Sequence, residues 1–443
     1  MDKRTEQYAQ ELSKLIRIET ISENEQLDRK KFDYFREVLK ETYPNIFGVC
    51  EYEEFPGGFL MRWKGSGSEK PILLMNHHDV VTASGKWQYA PFSGTIAEGK
   101  VWGRGTLDTK GGLWAMLRAA DELAAEGYVP ARDIYFESAS TEETTGEGAE
   151  IIAKTLAERK IHFDTVLDEG GMMLYDPIGG ADGTFAMIGM AEKGCADIKF
   201  VARSNGGHAS TPGKNTPLVR LGKFMAAAEK SNIFQVKIPE TIGEMFRRIS
   251  PTMSGPLKLV FGHPKLFAPL IKAVVPKVSA TAGAMMRTTI AFTMASGSDG
   301  LNVLPQEAWV TGNMRFSHHQ GGEASIAAIC KLAAKYDIKT EIIDPGFSSG
   351  VTSYTSNAFK RVENAVNDIF PDVIALPYIM TGASDSRFFT EISNGVVRFV
   401  PFLIDDSQLA SIHGIDENVD VSCLAPAVDF YKHIITEGSY GKQ

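Results

Sequence analysis

The sequence predicts an α/β protein with a mainly parallel mixed sheet, into which a second, smaller α+β unit is inserted. Three observations predict this. Up to about residue 193, short β-rich apolar runs alternate with stretches of helical periodicity. From 194 to 345 the order changes to β-α-β-β-α-β, the pattern of a ferredoxin-like split βαβ sandwich. After about Pro345 the alternating texture returns, so the larger unit is read as discontinuous, 1–193 with 346–443, around an inserted 194–345.

The elements justify themselves in chain order. "MDKRTEQYAQELSKLIRIETIS" carries charges throughout, with Leu12, Leu15, Ile16 and Ile18 on an apolar stripe, and reads as an amphipathic surface helix instead of a cleaved leader. "PILLMNHHDVV" is a strand, and "GGLWAMLRAADELAAEG" a helix closed by Gly127. "DIYFESASTEE" is a strand, "GEGAEIIAKTLAERK" a helix and "FDTVLDEGG" a strand. Strands and helices of these lengths imply crossover connections and a sheet covered on both faces, with chemistry gathered at the carboxyl ends of the strands. In the inserted unit the strands are "GCADIKFVARS", "TTIAFTMASGSD", "EAWVTGNMRFS" and "KTEIID", the helices "TPLVRLGKFMAAAEKS" and "GGEASIAAICKLAAKYD", with a Pro-rich, partly helical insertion at about 236–285.

Composition narrows the partners. The 443 residues are 43% hydrophobic, enough for a large core, and the formal charge is -9 with pI near 5.6. No basic field is available for phosphate backbones, so nucleic acid is excluded and a small solute is expected. Cys50, Cys195, Cys330 and Cys423 lie far apart, without the paired spacing of a zinc knuckle or disulfide scaffold, and read as reduced residues of a cytoplasmic protein. The most apolar stretch, "LKLVFGHPKLFAPLIKAVVPKV", is interrupted by Pro264, Pro269, Pro276 and several lysines and falls short of a membrane span, so no membrane partner is expected.

Five polar clusters stand where strands end: "HHD" at 77–79, "GRGTLDTKGG" at 103–112, "TEETTG" at 141–146, "LDEGG" at 167–171 and "IHGIDE" at 412–417. Singly each has an ordinary reading: a satisfied polar residue, a helix cap at Glu142 and Glu143, a turn, a surface loop. Together they assemble histidines and carboxylates in one α/β unit, a nitrogen and oxygen set suited to zinc and also to cobalt or manganese. One aspartate can bridge two such ions, and a further carboxylate not bound to metal is needed as general base. "PGKN" lacks the glycine and hydroxyl of a phosphate loop, "GASDS" lacks the last glycine of a nucleophile elbow, and His318 and His319 read as exposed, without ligand partners.

With "TEE", "LDEGG", "GGHAS", "NVLP", "SDSR" and "HGIDE", the chain resembles the aminoacylase and carboxypeptidase S family of dinuclear zinc hydrolases over nearly its whole length. "VWGRGTLDTKGG", "GSDGLNVLPQEAWV" and "HGIDENV" bring it nearest to carboxypeptidase S and N-acyl amino acid hydrolases. The resemblance implies two Zn2+ per chain, Co2+ or Mn2+ being possible, with Asp108 bridging, His77 and Glu169 on one side, and Glu143 and His413 on the other. Glu142 becomes the general base for a metal-activated water. The family pattern His-any-Asp makes His77 the ligand, Asp79 its orienting acceptor and His78 the free middle position, and residues two apart on a strand share a face. Glu169 is preferred over Asp168 as the acid just before the glycine. The inserted unit is implied to be a lid and dimerisation domain, giving a possible homodimer. It carries His208 to polarise the scissile carbonyl, with Asn302 and Arg315 as substrate groups, while Asp385 and Arg387 lie beside the site. The implied activity is hydrolysis of the amide bond of N-acyl amino acids, or of the C-terminal peptide bond of small peptides. A dipeptidase or aminopeptidase of the same family, the condensing direction of the same reaction, and a non-catalytic binding relative stay open.

Overall fold

The computed structural model describes residues 2–22 and 29–438. Its centre is a ten-stranded sheet. From one edge the strands are Cys50–Phe55, Gly58–Trp63, Ile134–Ala139, Ile72–Met75, Thr165–Asp168, Val396–Arg398, Thr184–Glu192, Met173–Tyr175 and Leu403–Ile404, and Val373–Met380 also pairs with Thr184–Glu192. Five neighbouring pairs are parallel and four antiparallel, so the sheet is mixed. The three central strands, Ile134–Ala139, Ile72–Met75 and Thr165–Asp168, are mutually parallel, so their carboxyl ends open on one side.

Alternation along these strands feeds two cores. Ile72 and Leu74 pack on one face with Trp114 and Leu117 of the helix Lys110–Ala125 and Val428 and Tyr431 of the helix Leu424–Thr436. Leu73 and Met75 pack on the other with Ile152 and Leu156 of the helix Glu147–Glu158. The N-terminal helix Lys3–Ile16 buries Tyr8, Leu12, Leu15 and Ile16 against the first core, as its stripe predicts. Full burial of such side chains stabilises by roughly 1.5–3 kcal/mol each, which makes this double core a rigid base for the loops above it.

The predicted β-α-β-β-α-β unit is present as a four-stranded antiparallel sheet, in the order Lys339–Phe347, Gly194–Arg203, Glu307–Phe316, Thr289–Ser296. The helices Pro217–Lys230 and Gly322–Ala334 bury Leu221, Phe224, Ile329 and Leu332 against Ile198, Phe200, Val310 and Met314. The Pro-rich insertion folds into four helices, Glu240–Ile249, Gly255–Gly262, Ala268–Val278 and Ala280–Met285. Their core, with Ile242, Phe246, Ile271 and Met285, is shared with Phe185, Met187, Leu376 and Ile379 of the large sheet, not with the small one. No helix among the described residues is long and apolar enough to cross a membrane. The four cysteines are unpaired and half-buried. His318 and His319 are not exposed as expected. Both are half-buried, and burial lowers the imidazole of His318 to about 4, while the His319 ring meets Gln235 O at 2.8 Å.

Candidate metal centre

The ladder between Ile72–Met75 and Ile134–Ala139 runs on past its last regular residue: Asn76 N–H donates to Glu137 O at 3.3 Å, and His78 N–H to Ala139 O at 2.9 Å. The two-residue period therefore persists through the histidines. His78 enters the core, stacked on Phe35 at 5.3 Å and 4° and flanked by Phe32 and Phe59, with Nδ1 2.8 Å from Ser138 Oγ. Burial pushes its imidazole well below the usual histidine value, so it stays neutral. His77 and Asp79 turn the other way. The His77 Nδ1 lies 3.0 Å from the carbonyl and 3.3 Å from the carboxylate of Asp79. That carboxylate also accepts the N–H groups of Glu142 at 3.3 Å and Glu143 at 3.0 Å. One buried aspartate thus ties the end of one strand to the turn after its neighbour.

Asp108 lies between two histidines. Its Oδ1 stands 3.0 Å from His77 Nε2 and its Oδ2 3.0 Å from His413 Nε2, while His413 Nε2 is also 3.0 Å from a Glu143 oxygen. His77, Asp108 and Glu143 each present one ligand atom within 4.8 Å of the others. The second oxygen of Glu143 is buried without a hydrogen bond. Asp168, at the end of Thr165–Asp168, accepts the N–H of Ser386 at 2.9 Å, whereas Glu169 is left without a hydrogen bond among the described residues. Burial first, then Asp168, Asp108 and Glu142, hold the Glu169 carboxyl well above the usual range; burial likewise raises Glu142, and burial with Asp108 raises Glu143. Burial opposes ionisation of Asp108, yet the hydrogen bonds from His413 and His77 outweigh it and keep the carboxylate charged. In turn Asp108 and Glu143 lift His413 to about 10. Protons and imidazolium charges offset the mutual repulsion of these carboxylates. A divalent cation would do so directly, so the donor set fits zinc.

Two loops bring Asp108 and His413 together, through residues the sequence reading assigned no role. Glu417 is fully buried, and its Oε1 accepts the N–H groups of Gly105 at 3.1 Å, Leu107 at 2.8 Å and Asp108 at 3.2 Å. Its Oε2 meets Arg104 at 2.7 Å, and Arg104 also donates to Gly414 O at 2.6 Å. Behind them Asn418–Asp420 pairs with Lys100–Trp102. Gly105 sits at φ +91°, and a Cβ on Gly112 would fall 2.1 Å from the Asn76 oxygen that accepts from Thr109 Oγ1, so both positions require glycine. Glu417→Gln should therefore cost about 3 kcal/mol of stability by leaving Arg104 buried without its counter-charge, and should weaken metal binding roughly 10- to 100-fold. Urea unfolding and a metal titration test this; an unchanged midpoint would mean the pair does not hold the two loops.

Asp385 and Arg387 also reach the site. Asp385 is buried with neither oxygen hydrogen-bonded, and a Cβ on Gly146, in the Glu142 turn, would lie 2.9 Å from Asp385 Oδ1 and 2.4 Å from Arg387 Nη2. Arg387 donates to Ser384 O at 2.7 Å and lies over the rings of Phe347 and Phe388. Glu137, buried with one oxygen unpartnered and within electrostatic reach of Asp168, His77 and Asp79, joins this acidic cluster and carried no sequence signal beyond being an acid inside an apolar strand. His208, Asn302 and Arg315 are not brought to it. His208 and Asn302 lie on an exposed two-stranded antiparallel ladder, Gly207–His208 paired with Val303–Leu304 from a distant part of the chain, and Arg315 donates to Asn313 at 3.2 Å.

A family model described as peptidase family M20/M25/M40 matches residues 73–437. The chain is 33% identical to a probable carboxypeptidase S-like 2 of Dictyostelium discoideum, over 97% of this chain and 84% of that one. It is 30% identical to the human N-fatty-acyl-amino acid synthase/hydrolase PM20D1, over 83% and 74%. The solved M20 family metallo-carboxypeptidase Sso-CP2 from Sulfolobus solfataricus superposes with a TM-score of 0.71 at 18% identity, covering 98% of this chain and 99% of that chain.

Proposed function

The chain belongs to peptidase family M20/M25/M40, and from that premise we propose that this hydrolase cleaves the amide bond of N-acyl amino acids, or the C-terminal peptide bond of short peptides, with two zinc ions. The observation that carries the reading is Asp108, whose two oxygens each stand 3.0 Å from a different histidine, as a ligand shared by two cations requires. We assign His77 and Glu169 to one ion, Glu143 and His413 to the other, and Asp108 to both; cobalt or manganese suits the same donors. When bound, such ions polarise a carbonyl and lower the pKa of water.

The chain's own residues do the rest. Glu142, held high by burial, accepts the proton of the attacking water and returns it to the leaving amine. Asp79 fixes the tautomer of His77 and, through the two N–H groups it accepts, the position of Glu142. His208, Asn302 and Arg315 lie on the unit 194–345, which we read as a lid. Closure, or a second subunit in a homodimer, delivers His208 to the developing oxyanion and Arg315 to the substrate carboxylate. Free, widely spaced cysteines favour a cytoplasmic protein.

A screen of the zinc-loaded protein, N-acetyl and long-chain N-acyl amino acids against dipeptides, tests the reading. Turnover of N-acyl amino acids is expected, and turnover confined to dipeptides with a free amine would move the chain to the dipeptidases. Arg315→Lys should cost about 1.5–3 kcal/mol in kcat/KM, because an ammonium cannot reproduce a bidentate guanidinium contact, with metal content unchanged. If the variant still separates acid from amidated substrate as sharply as wild type does, the anchor is Arg387.

A further inference from the structure

The apolar stretch that the catalytic reading leaves unused has a surface unlike the rest of the chain. Between residues 245 and 298 there is no aspartate or glutamate, but there are four lysines, Lys258, Lys265, Lys272 and Lys277, in a protein of net charge -9. All four are exposed and have no ion-pair partner among the described residues. Large apolar side chains stand out between them: Leu259 is 57% exposed, Leu266 74%, Leu270 48%, Val274 43% and Val278 75%. Leu270, Val274 and Val278 recur every fourth residue and form one stripe along the helix Ala268–Val278, and Leu266 stands in the turn just before it. That helix already buries Ile271 and Val275 in its own core, which makes the stripe a second apolar face. A helix packed on a core ordinarily shows solvent a polar face. Beside it a cavity of about 760 Å3 opens towards the helix Glu240–Ile249, with Lys237, His263, Lys265 and Lys272 in its wall together with Glu240 and with Glu244, which is paired with Arg247 and Arg248.

We propose that this segment, 255–278, is a docking surface for an anionic lipid membrane, lying in the plane of the interface with its leucines and valines in the acyl boundary and its lysines on the headgroups. Charge decides the occupant. A second copy of the chain docked face to face would set four lysines against four lysines with no acid within the segment 255–278 to offset them. An anionic lipid surface supplies both the negative charge and an apolar layer, and exposed apolar side chains flanked by lysines are the composition of interfacial helices. The contact is peripheral, so it requires no spanning helix, and it is independent of the reaction proposed above.

The test is sedimentation of the full-length protein with vesicles of phosphatidylcholine alone and of phosphatidylcholine mixed with phosphatidylserine. Binding is expected to the mixed vesicles only, and to be released by high salt. Lys265→Glu with Lys272→Glu, and separately Leu266→Ser with Leu270→Ser, should each weaken binding on the order of tenfold or more, with hydrolysis of a water-soluble substrate unchanged. No binding to the mixed vesicles, equal binding to both kinds, or leucine variants that bind like wild type would each overturn the proposal. So would a vesicle-free dimer that the leucine variants dissociate, since the occupant would then be a second copy.

Discussion

Glu142→Ala is expected to lower turnover by roughly 100- to 10,000-fold, the range for a positioned general base, while the purified protein keeps its full metal content. Glu143→Ala should lose metal as well as activity. The two residues are adjacent, and both backbone N–H groups are held by Asp79, so their backbone environments are nearly the same. Their side chains differ. Glu143 reaches His413 at 3.0 Å and shares a ligand-atom cluster with His77 and Asp108, whereas the nearest approach of Glu142 to the histidines is 3.9 Å, to His77 Nε2. Glu142 is thus beside the centre without being a member of it, and burial holds its carboxyl well above the usual carboxylate range, the direction a general base requires. Elemental analysis after gel filtration, paired with single-turnover rates, separates the two roles. Equal metal loss in both variants would show that the roles are reversed or shared.

Much of this cluster of side chains was legible because the candidate ligands stand in short motifs at strand ends, where an α/β topology collects them. The split between His77 and His78 was legible for the same reason: a period of two extends through both residues, and only one face of that strand looks toward the other polar clusters. Other parts carried no local signal. Arg104 and Glu417 are 313 positions apart, and nothing near either residue indicates that they form one buried pair under Asp108. The aromatic box around His78 draws on Phe32, Phe35 and Phe59, which come together only once the N-terminal helices dock on the sheet. The helical insertion at 236–285 was visible as a break in texture, but its packing on Leu376 and Ile379 depends on which sheet edge lies within reach. The half-burial of His318 and His319 arises the same way: His319 meets the carbonyl of Gln235, a residue some eighty positions earlier.

Asp108→Ala is expected to leave the protein folded but nearly free of zinc, because it removes the one side chain that faces both halves of the centre. Any single terminal ligand serves one cation, so its loss should leave the other site partly filled. Loss of Asp108 takes a donor from both and leaves Glu142, Glu143 and Glu169 with only His77 and His413 to offset their mutual repulsion. Stability should change little, since the Asp108 loop is held from below by Glu417, which accepts its backbone N–H groups, and not by the Asp108 carboxylate. His78→Ala supplies the contrast. It touches no ligand, so metal content and most activity should persist, but it empties a fully buried site among three phenylalanine rings and should cost about 2–4 kcal/mol of stability. His77→Ala should resemble Asp108→Ala in activity, with one metal equivalent held more tightly than the other. Metal content by elemental analysis and unfolding by urea give each variant two coordinates. Asp108→Ala that retains about two zinc equivalents would refute the bridging assignment, and a single tightly held ion in wild type that Asp108→Ala leaves in place would reduce the centre to a mononuclear one.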